Sequence, residues 1–214
     1  MKITGAIFDL DGTLLDSMFI WENVGEQYLC SLGIRPREDI HETLRNMSMA
    51  QGAEHIQKVY CVEKTSEEII AGVNAIVEHF YTDEVQLKDG VAEFLRCLAE
   101  NGVKMCIATA TDKYLVEAAL TRLGVKKYFA EIFTCSGVGH GKDEPHIYEV
   151  ACRQLGTPKE NTLVFEDAVY AIETAKDAGF PVAGVYDAGE NQEKVQEMSD
   201  FYITDFRKAR ESII

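Results

Sequence analysis

Short apolar runs alternate with helical patterns along most of the chain. Segments that fit buried strands occur six times, at 3–8, 103–108, 132–135, 162–165, 181–186 and 201–203. The helical patterns between them stop at a glycine, as do the two that begin at Asp112 and Pro145. This alternation predicts an α/β fold, in which a Rossmann-like parallel sheet carries helices on both faces.

The segment after the first strand breaks the alternation, because it contains helical patterns and no convincing strand. Apolar residues recur at helical spacing over 18–32, and a second apolar stripe runs over 69–80. Thr65 and Glu68 have the spacing of a capping box at the start of that second stripe. We therefore expect an insertion that forms a small all-helical cap domain. The expected boundaries are 16–81 for the cap and 1–15 with 82–214 for the α/β core.

The charge balance narrows the classes of partner. The chain has 214 residues, with 21 Lys and Arg against 36 Asp and Glu, which gives a formal net charge of −15. This negative charge repels nucleic acids and anionic membrane surfaces, so we expect neither as a partner. The first apolar run is interrupted by Asp9 and Asp11, unlike that of a signal peptide. We expect a cytoplasmic protein.

Cysteine usage agrees with an intracellular location. No two of the six cysteines form a C-x-x-C pair, and several lie inside apolar runs. We therefore expect buried, reduced thiols. These residues are Cys30, Cys61, Cys97, Cys106, Cys135 and Cys152.

Polar residues follow several predicted strands at the point where each strand ends. Because ligands of open parallel sheets bind beyond the carboxyl ends of the strands, these residues are expected to share one rim. Like charges about 4 Å apart repel by ~4 kcal/mol at an effective dielectric constant of 20, so clustered carboxylates need a cation or raised pKa values. Hard oxygen ligands favour Mg²⁺, and the scattered histidines offer no zinc alternative. The rim residues are Asp9, Asp11, Thr109, Lys142, Glu166 and Asp167.

Four sequence motifs, in order, resemble those of the haloacid dehalogenase superfamily, in particular its β-phosphoglucomutase-like and phosphatase-like members. The motifs are FDLDGTLLDS at 8–17, ATAT at 108–111, GKDEPHIY at 141–148 and FEDA at 165–168. The resemblance covers the whole chain and includes the cap insertion after the first motif. It implies phosphoryl transfer with Mg²⁺ as cofactor, and it does not identify the substrate.

The resemblance also implies roles for the rim residues. Asp9 would be the nucleophile that forms an aspartyl-phosphate. Asp11 would act as general acid and then as general base. The implied phosphate ligands are Thr109, the Ala110 amide and Lys142; the implied metal ligands are Asp9, Asp167, the main-chain carbonyl of Asp11, and Glu166 directly or in an outer position.

This sequence departs from the family pattern at three positions without losing a catalytic group. Asp143 stands where proline often follows the lysine of the third motif, which leaves the conformation of that loop open. His146 replaces a common aspartate, and Ala171 stands where glycine is frequent.

Three functions are open at this point. A phosphatase acting on a small phosphorylated metabolite is favoured, because Asp11 supplies the acid that dehalogenases do not need. A phosphosugar mutase of the β-phosphoglucomutase type is the second hypothesis, although Trp21 stands where those enzymes carry a cap histidine. A non-catalytic protein that binds or senses a phosphorylated ligand is the third. Trp21 and Arg45 are the candidate specificity residues of the cap.

Overall fold

A computed structural model describes residues 2–36, 40–44, 47 and 49–213. The chain divides into two compact units, an α/β core formed by Met1–Ser17 with Val85–Ile214 and a helical unit formed by Met18–Glu84. These boundaries lie two or three residues from those expected from the sequence. The difference arises because Leu15–Asp16 pairs with Gln86–Leu87 in an antiparallel ribbon, which the sequence patterns did not indicate.

The core contains a six-stranded parallel sheet with β1 in its interior. Its strands are β1 (Gly5–Phe8), β4 (Lys104–Thr109), β5 (Phe129–Thr134), β6 (Thr162–Glu166), β7 (Val182–Val185) and β8 (Phe201–Ile203), and the short ribbon consists of β2 (Leu15–Asp16) and β3 (Gln86–Leu87). The order across the sheet is β5-β4-β1-β6-β7-β8. Because β1 pairs in parallel with both β4 and β6, the carboxyl ends of these three strands meet at one edge.

The fifth strand begins earlier than its apolar pattern predicts. The sequence indicated residues 132–135, whereas β5 starts at Phe129 and ends at Thr134. It lies at an edge of the sheet, where Ala130 is exposed, so its first half lacks a continuous apolar run. Cys135 belongs instead to a short helix, and the Thr134 side chain accepts a hydrogen bond from the Gly137 amide at its start.

The described residues of the helical unit form helices and no strand. They are α1 (Met18–Ser31), α2 (Ile40–Leu44), α3 (Met49–Tyr60) and α4 (Ser66–His79), followed by a π-helical turn (Phe80–Glu84). The predicted capping box is confirmed, because the Thr65 hydroxyl accepts from the Glu68 amide at 3.2 Å and the Glu68 carboxylate accepts from the Thr65 amide at 2.8 Å. Tyr28, Ile56 and Ile69 form part of the unit's own apolar core.

Among the described residues of the core, seven α-helices accompany the sheet. They are α5 (Val91–Glu100), α6 (Lys113–Arg122), α7 (Cys135–Val138), α8 (His146–Leu155), α9 (Val169–Asp177), α10 (Gln192–Met198) and α11 (Phe206–Ile213). Successive strand residues point to opposite faces of the sheet. Ile7 accordingly belongs to an apolar cluster with Ile147 of α8, whereas Phe8 stacks on Phe165 at 4.2 Å, next to Phe94 of α5. Helices on both faces therefore bury the whole of β1.

Asp112 occupies the N-cap position of α6, but its side chain makes no capping hydrogen bond. The expectation that the cysteines are buried was only partly right. All six cysteines are free thiols, of which Cys30 and Cys61 are exposed rather than buried. Both exposed thiols lie in the helical unit, where the helices leave one face to solvent. Of the helices that the structure describes, none combines the length and the apolar character needed to cross a bilayer.

Candidate active site

A tight loop at the carboxyl end of β1 presents the first motif. The main-chain amide of Asp9 donates to the Phe165 carbonyl at 2.9 Å, which continues the pairing of β1 with β6 beyond the end of β1. The chain then turns back, and the amides of Leu14 and Leu15 both donate to the Leu10 carbonyl at 2.9 Å. Gly12 adopts φ +74°, a left-handed conformation that glycine tolerates without strain.

Three carboxylates converge at this edge of the sheet. Asp9 follows β1, Glu166 ends β6, and Asp167 comes directly after it. One oxygen from each lies within 4.8 Å of the others, and all three residues are buried. The rule that strand ends share one rim therefore places residues about 157 positions apart in one cluster. We call Asp9, Glu166 and Asp167 the carboxylate cluster.

Lys142 bridges two members of the carboxylate cluster. Its Nζ donates to Asp9 Oδ1 and, at 2.6 Å, to Glu166 Oε1, and the residue is only 5% exposed. The Tyr148 hydroxyl donates to the same Glu166 oxygen at 2.8 Å. The third motif thus contributes a cation from the loop before α8 and a neutral donor from the start of α8.

The electrostatics of the cluster follow from burial and from an excess of negative charge. Burial raises the pKa of Asp9 to about 6, with Glu166 adding to the rise and Lys142 opposing it. Burial also raises the pKa of Asp167 well above its ordinary value, and the charges of Asp9 and Glu166 raise it further. Burial lowers the pKa of the Lys142 ammonium, but Asp9 and Glu166 outweigh that effect and raise it. Among the described residues of this site, the single positive charge of Lys142 therefore stands against the three acidic groups of the carboxylate cluster.

The donor set of the cluster fits a hard divalent cation. Glu166 Oε2 is buried and receives no hydrogen bond from the residues that the structure describes. A buried oxygen in this condition is costly unless an ion or water completes it. Asp167 Oδ1 accepts from the Thr13 hydroxyl at 2.8 Å, which fixes the orientation of that carboxylate. Oxygen ligands with excess negative charge are the set that Mg²⁺ prefers.

Asp11, two residues after Asp9, is held by two hydroxyl groups. The Ser17 hydroxyl donates to its Oδ1 at 2.7 Å, and the Thr111 hydroxyl donates to its Oδ2 at 2.5 Å. These two bonds engage both oxygens of the half-buried carboxylate. Both hydroxyl residues follow sheet strands in loops, so no sequence periodicity marks them.

The second motif forms a compact turn after β4. Thr109 is buried, and its hydroxyl oxygen accepts from the Thr111 amide at 3.1 Å. Ala110 between them is exposed. From this turn, the Thr111 hydroxyl reaches back to Asp11.

The departures in the third motif have a structural explanation. Asp143 and Glu144 are exposed, whereas Lys142 between Gly141 and Asp143 is buried, so the added negative charges face solvent rather than the ammonium. His140 pairs with Glu144 at 2.9 Å, and its ring lies 4.6 Å from that of His146. These contacts hold the loop together where the family often has a proline. Ala171 is fully buried in α9.

The two candidate specificity residues lie in the helical part of the sequence. Trp21 of α1 is 42% exposed, and its indole N–H donates to the Tyr81 hydroxyl at 3.2 Å. Arg45 lies outside the described residues. Sequence reasoning assigned no role to Thr13 or Tyr148, although both stand inside the quoted motifs, at positions where a hydroxyl could reach a strand-end carboxylate.

Comparison with known proteins identifies the family. A model of the haloacid dehalogenase-like hydrolases matches residues 3–179 of the chain. The chain belongs to the haloacid dehalogenase-like hydrolases. The matched range includes all four motifs, and the resemblance stated from the sequence is confirmed.

Two relatives of this hydrolase are named as phosphatases. It is 27% identical over 173 residues to a phosphorylated carbohydrates phosphatase of Thermotoga maritima, covering 81% of this chain and 80% of that protein. It is 27% identical over 181 residues to a validoxylamine A 7'-phosphate phosphatase of Streptomyces hygroscopicus, covering 84% of each. The fold matches that of CbbY from Rhodobacter sphaeroides, solved with phosphate, with a TM-score of 0.74, 22% identity and 96% of each chain covered.

Proposed function

We propose that this hydrolase is a Mg²⁺-dependent phosphatase that removes the phosphoryl group from a small phosphorylated metabolite. The observation that carries the proposal is the buried Lys142 ammonium, bonded to both Asp9 and Glu166 beside Asp167. A nucleophilic carboxylate, a fixed cation and further oxygen ligands are the parts that phosphoryl transfer requires. The phosphatases among the relatives support the same reaction class.

In the proposed reaction, a carboxylate oxygen of Asp9 attacks phosphorus and forms an aspartyl-phosphate while the bond from phosphorus to the ester oxygen breaks. Asp11 gives its proton to the departing alkoxide, which leaves as the alcohol. Asp11 then accepts a proton from the water that attacks the aspartyl-phosphate, which releases inorganic phosphate and restores Asp9. The bonds from Ser17 and Thr111 hold Asp11 in one orientation for both transfers.

Charge stabilisation and positioning supply most of the acceleration. Phosphate-monoester hydrolysis can require up to about 10²¹-fold acceleration, of which general acid–base catalysis provides about 10²–10⁴-fold. Lys142 would offset negative charge on the transferring group, because its ammonium is already fixed and needs no reorganisation. Thr109 and the main-chain amide of Ala110 would hold phosphate oxygens.

Asp9, Asp167 and the main-chain carbonyl of Asp11 would hold Mg²⁺, with Glu166 at the metal or in an outer position. When bound, the ion would neutralise charge on the phosphoryl oxygens. The buried Glu166 Oε2, which receives no hydrogen bond from the described residues, supports a cation there. So do the raised pKa values of Asp9 and Asp167, because burial disfavours their charged forms and a bound cation would compensate.

The substrate class is the least constrained part of the proposal. Two phosphatase relatives act on phosphorylated carbohydrates and on validoxylamine A 7'-phosphate, which favours a phosphorylated sugar or similar compound here. We propose that the helical unit is a cap that selects the substrate, with Trp21 and Arg45 as specificity residues, and that the protein works in the cytoplasm without nucleic acid or membrane partners.

The test is phosphate release from p-nitrophenyl phosphate and a panel of sugar phosphates. Wild-type protein should turn over with Mg²⁺ and lose activity in EDTA, and Asp9→Asn should lose at least about 10³-fold in kcat. Asp112→Asn is the matched control, because this exposed aspartate makes no capping bond. An inert wild type would favour a ligand-binding role. Interconversion of β-glucose 1-phosphate and glucose 6-phosphate without phosphate release would favour a mutase.

A further inference from the structure

A half-buried lysine, Lys88, lies near the first motif, outside the carboxylate cluster. Lys88 follows β3, and its Nζ donates to the Gly12 carbonyl and, at 2.7 Å, to the Tyr186 carbonyl. It also pairs with Asp187 Oδ2 at 3.0 Å. An ammonium has three donors, so these three acceptors match its capacity. The Lys88 side chain is 17% exposed, which makes the arrangement more than a surface pair.

Asp187 is itself held in place. Its other oxygen, Oδ1, accepts from the Gly189 amide at 3.0 Å, and its carbonyl accepts from the Gln192 side chain. The residue is 7% exposed and takes no part in the proposed reaction. Lys88 is therefore anchored to the segment that follows β7. In the sheet order, β7 lies two strands from β1, which ends next to Asp9.

The bond to Gly12 acts on the loop that carries the reacting groups. Gly12 lies between Asp11 and Thr13, and its amide donates to the Leu15 carbonyl at 3.1 Å. The Lys88 amide also donates to the Leu14 carbonyl at 2.9 Å, so this lysine contacts the loop through main chain and side chain. Removal of the ammonium would leave the Gly12 carbonyl without this donor, and the Gly12–Thr13 peptide, one residue beyond Asp11, would lose one of its restraints.

We propose that Lys88, anchored by Asp187, is a positioning residue for the catalytic loop 9–13. It acts through the Gly12 carbonyl and keeps Asp11 and Asp9 in their productive orientations. The inference rests on the proposed phosphatase function. A small displacement of a reacting group lowers the rate more than it lowers ground-state binding, so kcat should carry the effect.

The experiment compares Lys88→Met with Lys104→Met in steady-state hydrolysis of p-nitrophenyl phosphate. Lys104 is a matched control, because its Nζ also donates to a main-chain carbonyl, that of Leu155, at 2.9 Å, but it begins β4 at the opposite end of the strand from the site. Lys88→Met should lower kcat by about 10- to 100-fold and leave KM within about threefold. Lys104→Met should retain wild-type kcat. Thermal unfolding checks that both variants fold.

Asp187→Asn provides a second variant that keeps an oxygen acceptor for Lys88 but removes the ion pair. It should lower kcat in the same direction by a smaller factor. Equal kcat in Lys88→Met and Lys104→Met, or a change confined to KM, would overturn the positioning role. If Lys88→Met does not fold, an unchanged kcat in Asp187→Asn would overturn it. A wild type that hydrolyses nothing would instead overturn the proposed function.

Discussion

Lys142 and Lys176 make nearly the same bonds in very different surroundings. Lys142 Nζ bonds to Asp9 and to Glu166, the latter at 2.6 Å, and its side chain is 4% exposed. Lys176 Nζ lies 2.7 and 2.8 Å from the two oxygens of Asp200, but the two side chains are 34% and 39% exposed. Distance alone therefore does not separate a reactive cluster from a surface ion pair.

The pKa values of Asp9 and Asp200 distinguish the buried cluster from the surface ion pair. Asp200 also accepts from the Val182 amide at 2.8 Å, and although burial raises its pKa, the bonds from Lys176 and Val182 lower it overall. The pKa of Asp9 is raised to about 6 despite Lys142. The surface pair is balanced in charge, whereas the site holds more carboxylates than its lysine can neutralise. Excess negative charge in a buried place is what a bound metal cation can neutralise.

The largest expected effect on stability comes from replacing Lys142, compared with the same replacement at Lys176. Lys142→Met should lower the free energy of unfolding of the metal-free protein by about 3–5 kcal/mol, because it leaves buried carboxylates without their cation. Lys176→Met should cost about 1 kcal/mol or less, because solvent screens the partly exposed pair. Urea unfolding in EDTA measures both. Equal losses of stability in the two variants would contradict the expected difference between the buried lysine and the exposed one.

Added Mg²⁺ should stabilise the site and leave the surface pair unaffected. An ion that binds only the folded state, at a concentration 100 times its Kd, adds about 2.7 kcal/mol to the free energy of unfolding. For a chain of this size, each kcal/mol raises Tm by about 2–4 °C. The Mg²⁺-induced rise in Tm should shrink in Asp167→Asn and persist in Asp200→Asn. The same rise in both variants would argue against the carboxylate cluster as the metal site.

Two tyrosines extend the comparison to neutral donors. Tyr148 is fully buried, and its hydroxyl donates to the Glu166 carboxylate at 2.8 Å. The Tyr202 hydroxyl donates to the Gln192 amide oxygen at 2.9 Å in a half-buried position. Tyr148→Phe should cost about 1.5–3 kcal/mol and Tyr202→Phe about 0.5–1.5 kcal/mol, because bonds to charged acceptors are stronger. A larger loss in Tyr202→Phe by urea unfolding would reverse this order.

The sequence predicts the carboxylate cluster well, for a physical reason. A buried parallel strand is a continuous apolar run, so the polar residue that ends it is visible, and the topology of the sheet brings such ends together. Asp9 and Lys142 are 133 positions apart and still meet. The family model confirms the family membership that the four motifs suggested.

The sequence does not predict the contacts that depend on loop conformation. Asp11 turns toward Ser17 and Thr111 because of local loop geometry, which no periodicity records. Lys88 follows a strand of only two residues, and its partner Asp187 is 99 positions away. A single charged residue in such a place has the same sequence signature as a solvated lysine, so its role emerges only from the fold.

The smallest expected effect concerns the pH dependence of the surface pair. Because the pKa of Asp200 is lower in the folded protein than its ordinary value of 3.8, its charged form favours folding. That contribution is complete above about pH 4 and is lost as the pH falls through the folded-state pKa. Asp200→Asn should therefore be less stable than wild type at pH 7 by about 1 kcal/mol or less. The difference should narrow at pH 3, because the unfolded state of the wild type then binds the proton more readily than the folded state. Urea unfolding at the two pH values measures it, and a difference that widens at pH 3 would mean that Asp200 stabilises the fold through its shape or its neutral hydrogen bonds rather than through its charge.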